Sequence, residues 1–381
     1  MRMKILHVFS NYKWTGPAEP AVSLAAELHR RGHDVTFASP DVPPHESDRR
    51  VWQHAVDRGL APLMGLHLSK HLHLVNIPRD ASTLRAFLLE RDFQLIHAHM
   101  RNDHLVAALA TRRMPLPPPI VRSVYDGRLE GGLRDRYLFG RHTARAIFLS
   151  GKVLDAAVRS KLMRRERCSL LEGAVDLERF DPGRPLPDMR RALGLGPRDY
   201  VVGIVARVQW HRRYNVLLAA VEQAMRALPH FRMVVIGRGT CFHDILEKPV
   251  QRRGLGGAVR FAGYLTGDDY VGCLAALDAK VFLVPGSDGS CRAVREAMAM
   301  GLPVIAANRG MLPEIVKDGE TGRIVSDTAE NLSRAIIELG DEPVRRRMAV
   351  AARERAVRDF DVESQAARVE SIYEELLLWG R

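Results

Sequence analysis

Short β-type runs alternate with helical stretches along the whole chain, and that rhythm leaves few folds open. KILHVF (4–9) is followed by the amphipathic PAVSLAAELHRRG (20–32) and then by DVTFAS (34–39). TLRAFLLERD (83–92) precedes QLIHAH (94–99), and HLVAALATRR (104–113), IVRSVY (120–125), AIFLS (146–150) and KVLDAAVRSKL (152–162) continue the pattern. Strands spaced by helices of this length do not pair as hairpins. Each returns across the sheet by a crossover, which predicts parallel sheets of the α/β class.

The rhythm pauses at LEGAVDLERFDPGRPLPD (171–188), rich in Pro, Gly and Asp, and a second α/β set follows. YVVGIVARV (200–208), RMVVIG (232–237), VRFAGY (259–264), AKVFLVP (279–285) and LPVIAAN (302–308) read as its strands, and NVLLAAVEQAMRAL (215–228) as its first helix. VESQAARVESIYEELLLWG (362–380) reads as one amphipathic helix. The expected division is 1–172, 173–360 and a terminal segment 361–381, giving two doubly wound domains in tandem with a cleft between them. A chain of 381 residues is long enough for two cores.

Charge separates the halves. Residues 1–172 hold 27 Lys+Arg against 17 Asp+Glu, whereas 173–381 hold 30 against 28. The net charge of +12 therefore sits mostly in the first half, a field suited to an anionic partner. Cys168, Cys241, Cys273 and Cys291 show no CxxC spacing, which argues against a disulfide framework or zinc site and fits a reducing, cytoplasmic setting. MRMKILHVFSNYKW turns polar too early for a signal peptide, and no apolar run approaches the roughly 20 residues of a membrane span.

Ligands of doubly wound sheets bind beyond the carboxyl ends of the strands, so the loops there carry the functional expectation. After AKVFLVP comes GSDG (286–289) and then SCRAVREAMAM (290–300), expected as a helix with Ser290 as its N-cap. Free N–H groups at that start, beside Gly286, Gly289 and Ser290, can hold a phosphate. Asp288 in the loop and Glu296 in the helix can each accept hydrogen bonds from sugar hydroxyls; equally, Asp288 suits a turn and Glu296 a solvated helix face. In the next loop Gly310 permits close approach of a ligand, while Glu314 caps or braces the short helix opening near Leu312. Arg207 ends the apolar strand and Arg212 follows in WHRR, placed to clamp a diphosphate, with Arg213 read as part of a basic surface turn. Gly237 and Tyr264, closing RMVVIG and VRFAGY, complete the expected donor-contacting set.

Arg207, Arg212, Asp288 and Glu296, followed by NRGMLPEIVKDGETGRIV, resemble the retaining glycosyltransferases of family 4, the group 1 glycosyltransferases with the GT-B fold. KILHVF, TGPAE, RRGHDVTF, LIHAH, GAVDLERF and the terminal helix sit where that family has counterparts. The resemblance implies two Rossmann-like domains facing across a cleft, acceptor on the first, nucleotide sugar on the second, with the terminal helix crossing back to the first. It implies that Glu296 contacts the nucleotide ribose, that Asp288, in place of the usual Glu, binds donor-sugar hydroxyls, and that Arg207 and Arg212 stabilise the diphosphate, Arg212 replacing a Lys. It matches Gly16-Pro17 to a glycine-rich loop, with Gly16 a donor contact, and His99 to a catalytic histidine near the donor sugar and the site of transfer. His97 is expected on the opposite face of that strand, in a structural role.

The implied activity moves a sugar from a nucleotide-diphosphate sugar to a glycan or lipid-linked, anionic acceptor, as in bacterial polysaccharide or lipopolysaccharide synthesis. The implied mechanism is front-face attack, with the leaving diphosphate helping to deprotonate the acceptor. With arginines on the diphosphate no metal or other cofactor is expected, and Asp359-Phe360-Asp361 reads as a helix boundary rather than a metal site. Peripheral contact with an anionic membrane at its inner face fits the basic first half, where RRMPLPPP (112–119) and RDRYLFGRHTARA (134–146) mix Arg with aromatic and apolar residues. A nucleotide-sugar epimerase or hydrolase of the same architecture, and a non-catalytic nucleotide-sugar binder, remain alternatives. Nothing beyond charge points to nucleic acid.

Overall fold

The computed structural model describes residues 1–14, 16–40, 50–125, 129, 131–284 and 291–379. They divide into two compact units. One runs to Ala174 and regains the chain at Val362; the other runs from Val175 to Asp361.

The first unit is built on seven strands: β1 (Lys4–Val8), β2 (Asp34–Ala38), β3 (Ala61–Leu63), β4 (Leu95–Ala98), β5 (Ile120–Val124), β6 (Arg145–Phe148) and β7 (Cys168–Leu170). All pair parallel, in the order β3-β2-β1-β4-β5-β6-β7. Ile5, Val35, Phe37, Leu95, Val121 and Ile147 pack one face of this sheet against the Ala18–Arg30 helix. Leu6, Val8, Ile96, Ala98 and Ile120 pack the other face against the helices Asn76–Arg91 and Arg101–Thr111. Burial on both faces is why these strands are apolar runs rather than alternating patterns.

The second unit has β8 (Tyr200–Val205), β9 (Phe231–Ile236), β10 (Val259–Gly263), β11 (Ala279–Phe282), β12 (Val304–Ala307) and β13 (Gly322–Val325). They are parallel in the order β10-β9-β8-β11-β12-β13. In each unit the winding direction reverses once, between β1 and β4 and between β8 and β11. Such a reversal parts the two loops that follow those strands and opens a crevice at the carboxyl edge.

Three strands, β3, β7 and β13, were not anticipated; each spans only three or four residues. Local chemistry also moved several helix ends. The helix expected at 152–162 occupies Gly151–Arg159: the Ser150 hydroxyl accepts from the Val153 N–H at 3.3 Å, and Lys161 takes a left-handed φ of 56° that ends it. The helix expected at 104–113 begins earlier, at Arg101, because the Asp103 carboxylate accepts from the Met100 N–H at 2.8 Å. Asp359 closes one helix and Val362 opens the next, so Asp359-Phe360-Asp361 spans their junction.

The Val362–Trp379 helix packs on the first sheet beside Ala18–Arg30, burying Val369, Ile372 and Tyr373. Transfer of Val369 and Ile372 alone contributes roughly 3–6 kcal/mol. Ion pairs of Glu370 with Arg31 (2.6 Å) and of Glu375 with Arg145 (3.0 Å) fix its azimuth. The Tyr373 hydroxyl is hydrogen-bonded to His97 Nδ1 inside the core. Tyr373→Phe leaves that nitrogen without its buried partner. The urea midpoint of the first unit should fall by the equivalent of about 1–2 kcal/mol, with the fold retained by circular dichroism.

Candidate functional site

In the second unit the loops on either side of the reversal are stitched together. β8 ends at Val205, and Arg207 stands exposed two residues beyond. Trp210–Arg212 forms a single tight turn, and Arg213 adopts a left-handed φ of 63° that starts the Tyr214–Ala227 helix. Arg212 reaches across: its Nη1 donates to the Val284 carbonyl, past the end of β11, at 2.7 Å. Part of its guanidinium thus braces the two loops. Arg213, read from sequence as a basic surface turn, pairs with Asp327 at 3.2 Å, and Arg309 joins the same carboxylate at 2.6 Å.

The loop after β9 lies against the loop after β8. A Cβ on Gly237 would sit 2.0 Å from the Ala206 carbonyl oxygen, and its φ of 149° is open only to glycine. Gly239 meets the Val208 carbonyl oxygen the same way, at 1.9 Å. Between them Arg238 stacks over the Tyr264 ring, 4.4 Å from its centroid, and Tyr264 itself is half-exposed beyond β10. The sequence reading named Gly237 and Tyr264 but missed Gly239 and Arg238; the string GRG was the available signal. Gly310, exposed after β12, has a left-handed φ of 54°.

Glu296 is buried, which removes the reading of a solvated helix residue. The Tyr270 hydroxyl donates to its Oε2 at 2.6 Å, and Arg292 Nε approaches its Oε1 at 3.1 Å. Burial, with the Glu296 carboxylate beside it, raises the Tyr270 phenol well above its usual range. The helix carrying Glu296 spans Arg292–Ala299, not 290–300 as expected. Cys291, at φ 49° in left-handed backbone, stands at its N-cap position, which moves the cap away from Ser290. Gly286, Asp288, Gly289 and Ser290 lie outside the described residues.

In the first unit Gly16 and Pro17 form the turn into the Ala18–Arg30 helix, with Pro17 at its N-cap position. The loops after β1 and β4 are tied by Asp103, which accepts from the Ser10 N–H at 3.0 Å and donates its own N–H to the Ser10 hydroxyl at 3.2 Å. Burial raises the Asp103 carboxyl to about 7. This tie was not read from sequence; an acid three residues into a helix looks like ordinary capping.

His99 is fully buried. Its Nε2 lies 2.9 Å from His7 Nδ1 and its Nδ1 lies 2.9 Å from the Tyr125 hydroxyl. The assignment of His97 to the opposite face is wrong: residues two apart on extended backbone share a face. His97 and His99 stack at 4.3 Å between centroids, and His97 Nε2 is 2.8 Å from the Ser123 hydroxyl. The nitrogens of His7, His97 and His99 lie within 4.8 Å of one another, as three metal ligands would. Their partners are each other and the hydroxyls of Ser123, Tyr125 and Tyr373, and only His7 Nε2 lacks one. Five of the six ring nitrogens already have hydrogen-bond partners, so the cluster fits a hydrogen-bonded group better than a metal centre.

Two family models cover most of the chain: Glycosyltransferase Family 4 over residues 16–179 and Glycosyl transferases group 1 over residues 187–355. The chain belongs to the family 4 glycosyltransferases. Its fold is GT-B. The structure of Anabaena Alr3699/HepE in complex with UDP and glucose matches with a TM-score of 0.76 over 98% of this chain and 100% of that one, at 18% identity. The lipopolysaccharide core biosynthesis mannosyltransferase LpsB of Rhizobium meliloti is 30% identical over 53% of this chain, and the chain spans 59% of its length. The phosphatidyl-myo-inositol mannosyltransferase of Mycobacterium leprae is 26% identical over 96% of this chain and 94% of its own. Among the described residues no helix is long and apolar enough to cross a membrane.

The histidine stack makes the first unit acid-sensitive. Burial lowers His7 from 6.5 to about 3 and depresses His97 and His99 as well. Below pH 6.5 the unfolded chain therefore binds protons that the folded unit refuses, and stability falls as pH drops from about 6.5 towards 3. Asp103, raised to about 7, binds a proton in the folded unit that the unfolded chain lacks in the upper part of that range and offsets part of this loss. Relative to wild type, His7→Asn should lose less of its urea midpoint between pH 6.5 and 3.

Proposed function

We propose that this protein transfers a sugar from a nucleotide-diphosphate sugar to a glycan or lipid-linked acceptor. The observation that carries the reading is the carboxyl edge of the second sheet. There exposed Arg207, the Arg212 brace, the close-packed Gly237–Gly239 loop and the buried Glu296 carboxylate all follow strands near one reversal. The donor diphosphate lies against Arg207 and Arg212, Glu296 accepts hydrogen bonds from the nucleotide ribose, and Gly310 lets backbone approach the ligand. Asp288, Gly289 and Ser290 are proposed to complete the donor contacts, and Tyr264 and Gly237 to line the nucleotide side. UDP and glucose in the HepE structure support this class of donor.

In the reaction the bond from the anomeric carbon to the diphosphate oxygen breaks and a glycosidic bond to the acceptor hydroxyl forms. The acceptor proton leaves with the diphosphate. Charge developing on the departing diphosphate is met by Arg207 and Arg212, which is why no metal is invoked. Attack on the face that the leaving group vacates retains the anomeric configuration. His99, buried and hydrogen-bonded to the Tyr125 hydroxyl, is proposed to stand near the site of transfer. Gly16, in the turn that opens the Ala18–Arg30 helix, is proposed as a further donor contact.

The names of the Rhizobium and Mycobacterium relatives support a lipopolysaccharide or phosphoinositide type of acceptor. A membrane-held acceptor fits the surface of the first unit. Leu72, Leu74 and Val75 are 57%, 82% and 65% exposed, with Lys70 and Arg79 beside them in sequence. Apolar side chains set among cations suit an anionic bilayer surface.

A thermal-shift panel of UDP-, GDP- and ADP-sugars identifies the donor, since a ligand at 100 times its Kd stabilises the fold by about 2.7 kcal/mol. Arg207→Ala should abolish the shift and lower kcat about 10²–10³-fold. A panel without any shift overturns the donor reading, and an inverted product anomer by NMR overturns retention. The protein should cosediment with phosphatidylglycerol vesicles at low salt and be released at high salt, and Leu72→Asp/Leu74→Asp should weaken the binding. Absence of wild-type binding at low salt overturns the membrane contact.

A further inference from the structure

We propose that Lys280 is a positioning residue: it pins the first turn of the Arg292–Ala299 helix and thereby holds the Glu296 carboxylate in place for the donor. The inference deepens the donor-binding reading above and rests on it for its link to turnover.

Lys280 lies in the middle of β11, between Gly203 of β8 and Val304 of β12. Its strand neighbours Ala279 and Val281 belong to the apolar core, and its own side chain is fully buried. A central parallel strand covered on both faces calls for Val, Ile or Leu at such a position. A lysine there cannot reach water with its amino group, so a specific partner must compensate it.

The partner is the Ala293 carbonyl, to which Nζ donates. Ala293 is the second residue of the helix. Its carbonyl points along the helix towards the N–H four residues on, and a carbonyl oxygen has a second lone pair to give. The lysine therefore adds a tether between strand and helix rather than capping an empty group. Glu296 follows one turn later, where residues three apart share a helix face. The charged groups acting on Lys280 are Glu296, which favours its protonated form, and Arg292, which opposes it. From the neighbouring Gly267–Ala275 helix, Tyr270 contributes the hydroxyl bound to Glu296. Burial brings the Lys280 amine down to about 7, so its charge changes near neutrality.

Lys280→Met keeps the length and apolar stem and removes the tether. Hydrogen exchange on the free full-length protein should show the amides of 294–297 exchanging at least tenfold faster than in the wild type. The Tm should not fall, because an apolar side chain replaces a buried amine. With the donor identified by the thermal-shift panel, its KM should rise about tenfold while kcat changes less than twofold. The wild-type pH profile of donor KM should inflect near 7, and the variant should lack the inflection. Lys280→Gln, which keeps a donor for Ala293 without the charge, should restore most of the KM but not the inflection. It carries the test should the Met variant not fold. Unchanged exchange in 294–297 together with unchanged KM for Lys280→Met, or a wild-type pH profile for Lys280→Gln, overturns the proposal. If no nucleotide sugar binds the wild type, the donor reading fails, while the exchange experiment still decides whether Lys280 pins the helix.

Discussion

A parallel strand can be re-entered only by a crossover over the sheet, and this constraint organises both units. It sends every strand in one direction, and every loop that follows a strand arrives at the same edge. Where the winding reverses, two of those loops separate, and something must hold them in register. The two units do this with different chemistry. In the second, the Arg212 guanidinium spans from the β8 loop to the Val284 carbonyl. In the first, the Asp103 carboxylate and the Ser10 amide and hydroxyl close the gap between the loops after β1 and β4. Arg212, charged and bonded to backbone, makes a stronger tie than a neutral pair would. Each tie lies at the reversal, where loose loops would undo a binding edge.

The polar groups inside the sheets follow a second rule. His97 and His99 on one side, Glu296 and Lys280 on the other, are buried close to the carboxyl ends or under the helices that start there. Each is costly to bury and each has partners. The histidines remain neutral and exchange hydrogen bonds with Ser123, Tyr125 and Tyr373, so the terminal helix is docked by a polar contact as well as by apolar packing. Apolar packing alone fixes a helix less specifically than a buried hydrogen bond that has one satisfactory geometry.

The fold was legible because the strands are apolar on both faces and the helices between them are long enough for crossovers. Ten of the strands were visible as runs such as YVVGIVARV and AKVFLVP. The three that were not are so short that a residue or two of propensity decides them. Gly237 was legible as the last residue of a strand pattern, but the reason for it, the Ala206 carbonyl 2.0 Å from where a Cβ would be, depends on how two loops meet. The face of His97 was misread although the period of two was available from KILHVF and LIHAH. Lys280 was illegible for a different cause. A lysine inside VFLV-type sequence looks like an edge or surface residue, and only the sheet order, with β8 and β12 on either side, reveals that it has no route to water.

The burial of Glu296 bears on how a carboxylate can be both braced and available. An ionised carboxylate offers about four lone-pair sites. Tyr270 and Arg292 contact one site on each oxygen, which leaves about half of that capacity for a ligand's hydroxyls. The two existing contacts fix the plane of the group, so a diol bound there, as proposed, would meet an acceptor whose orientation is already set. In the low-dielectric surroundings of a buried helix face those added bonds are stronger than at an open surface. A solvated glutamate would have to shed water and lose rotamer freedom at the moment of binding. The arrangement around Glu296 bears both costs when the chain folds.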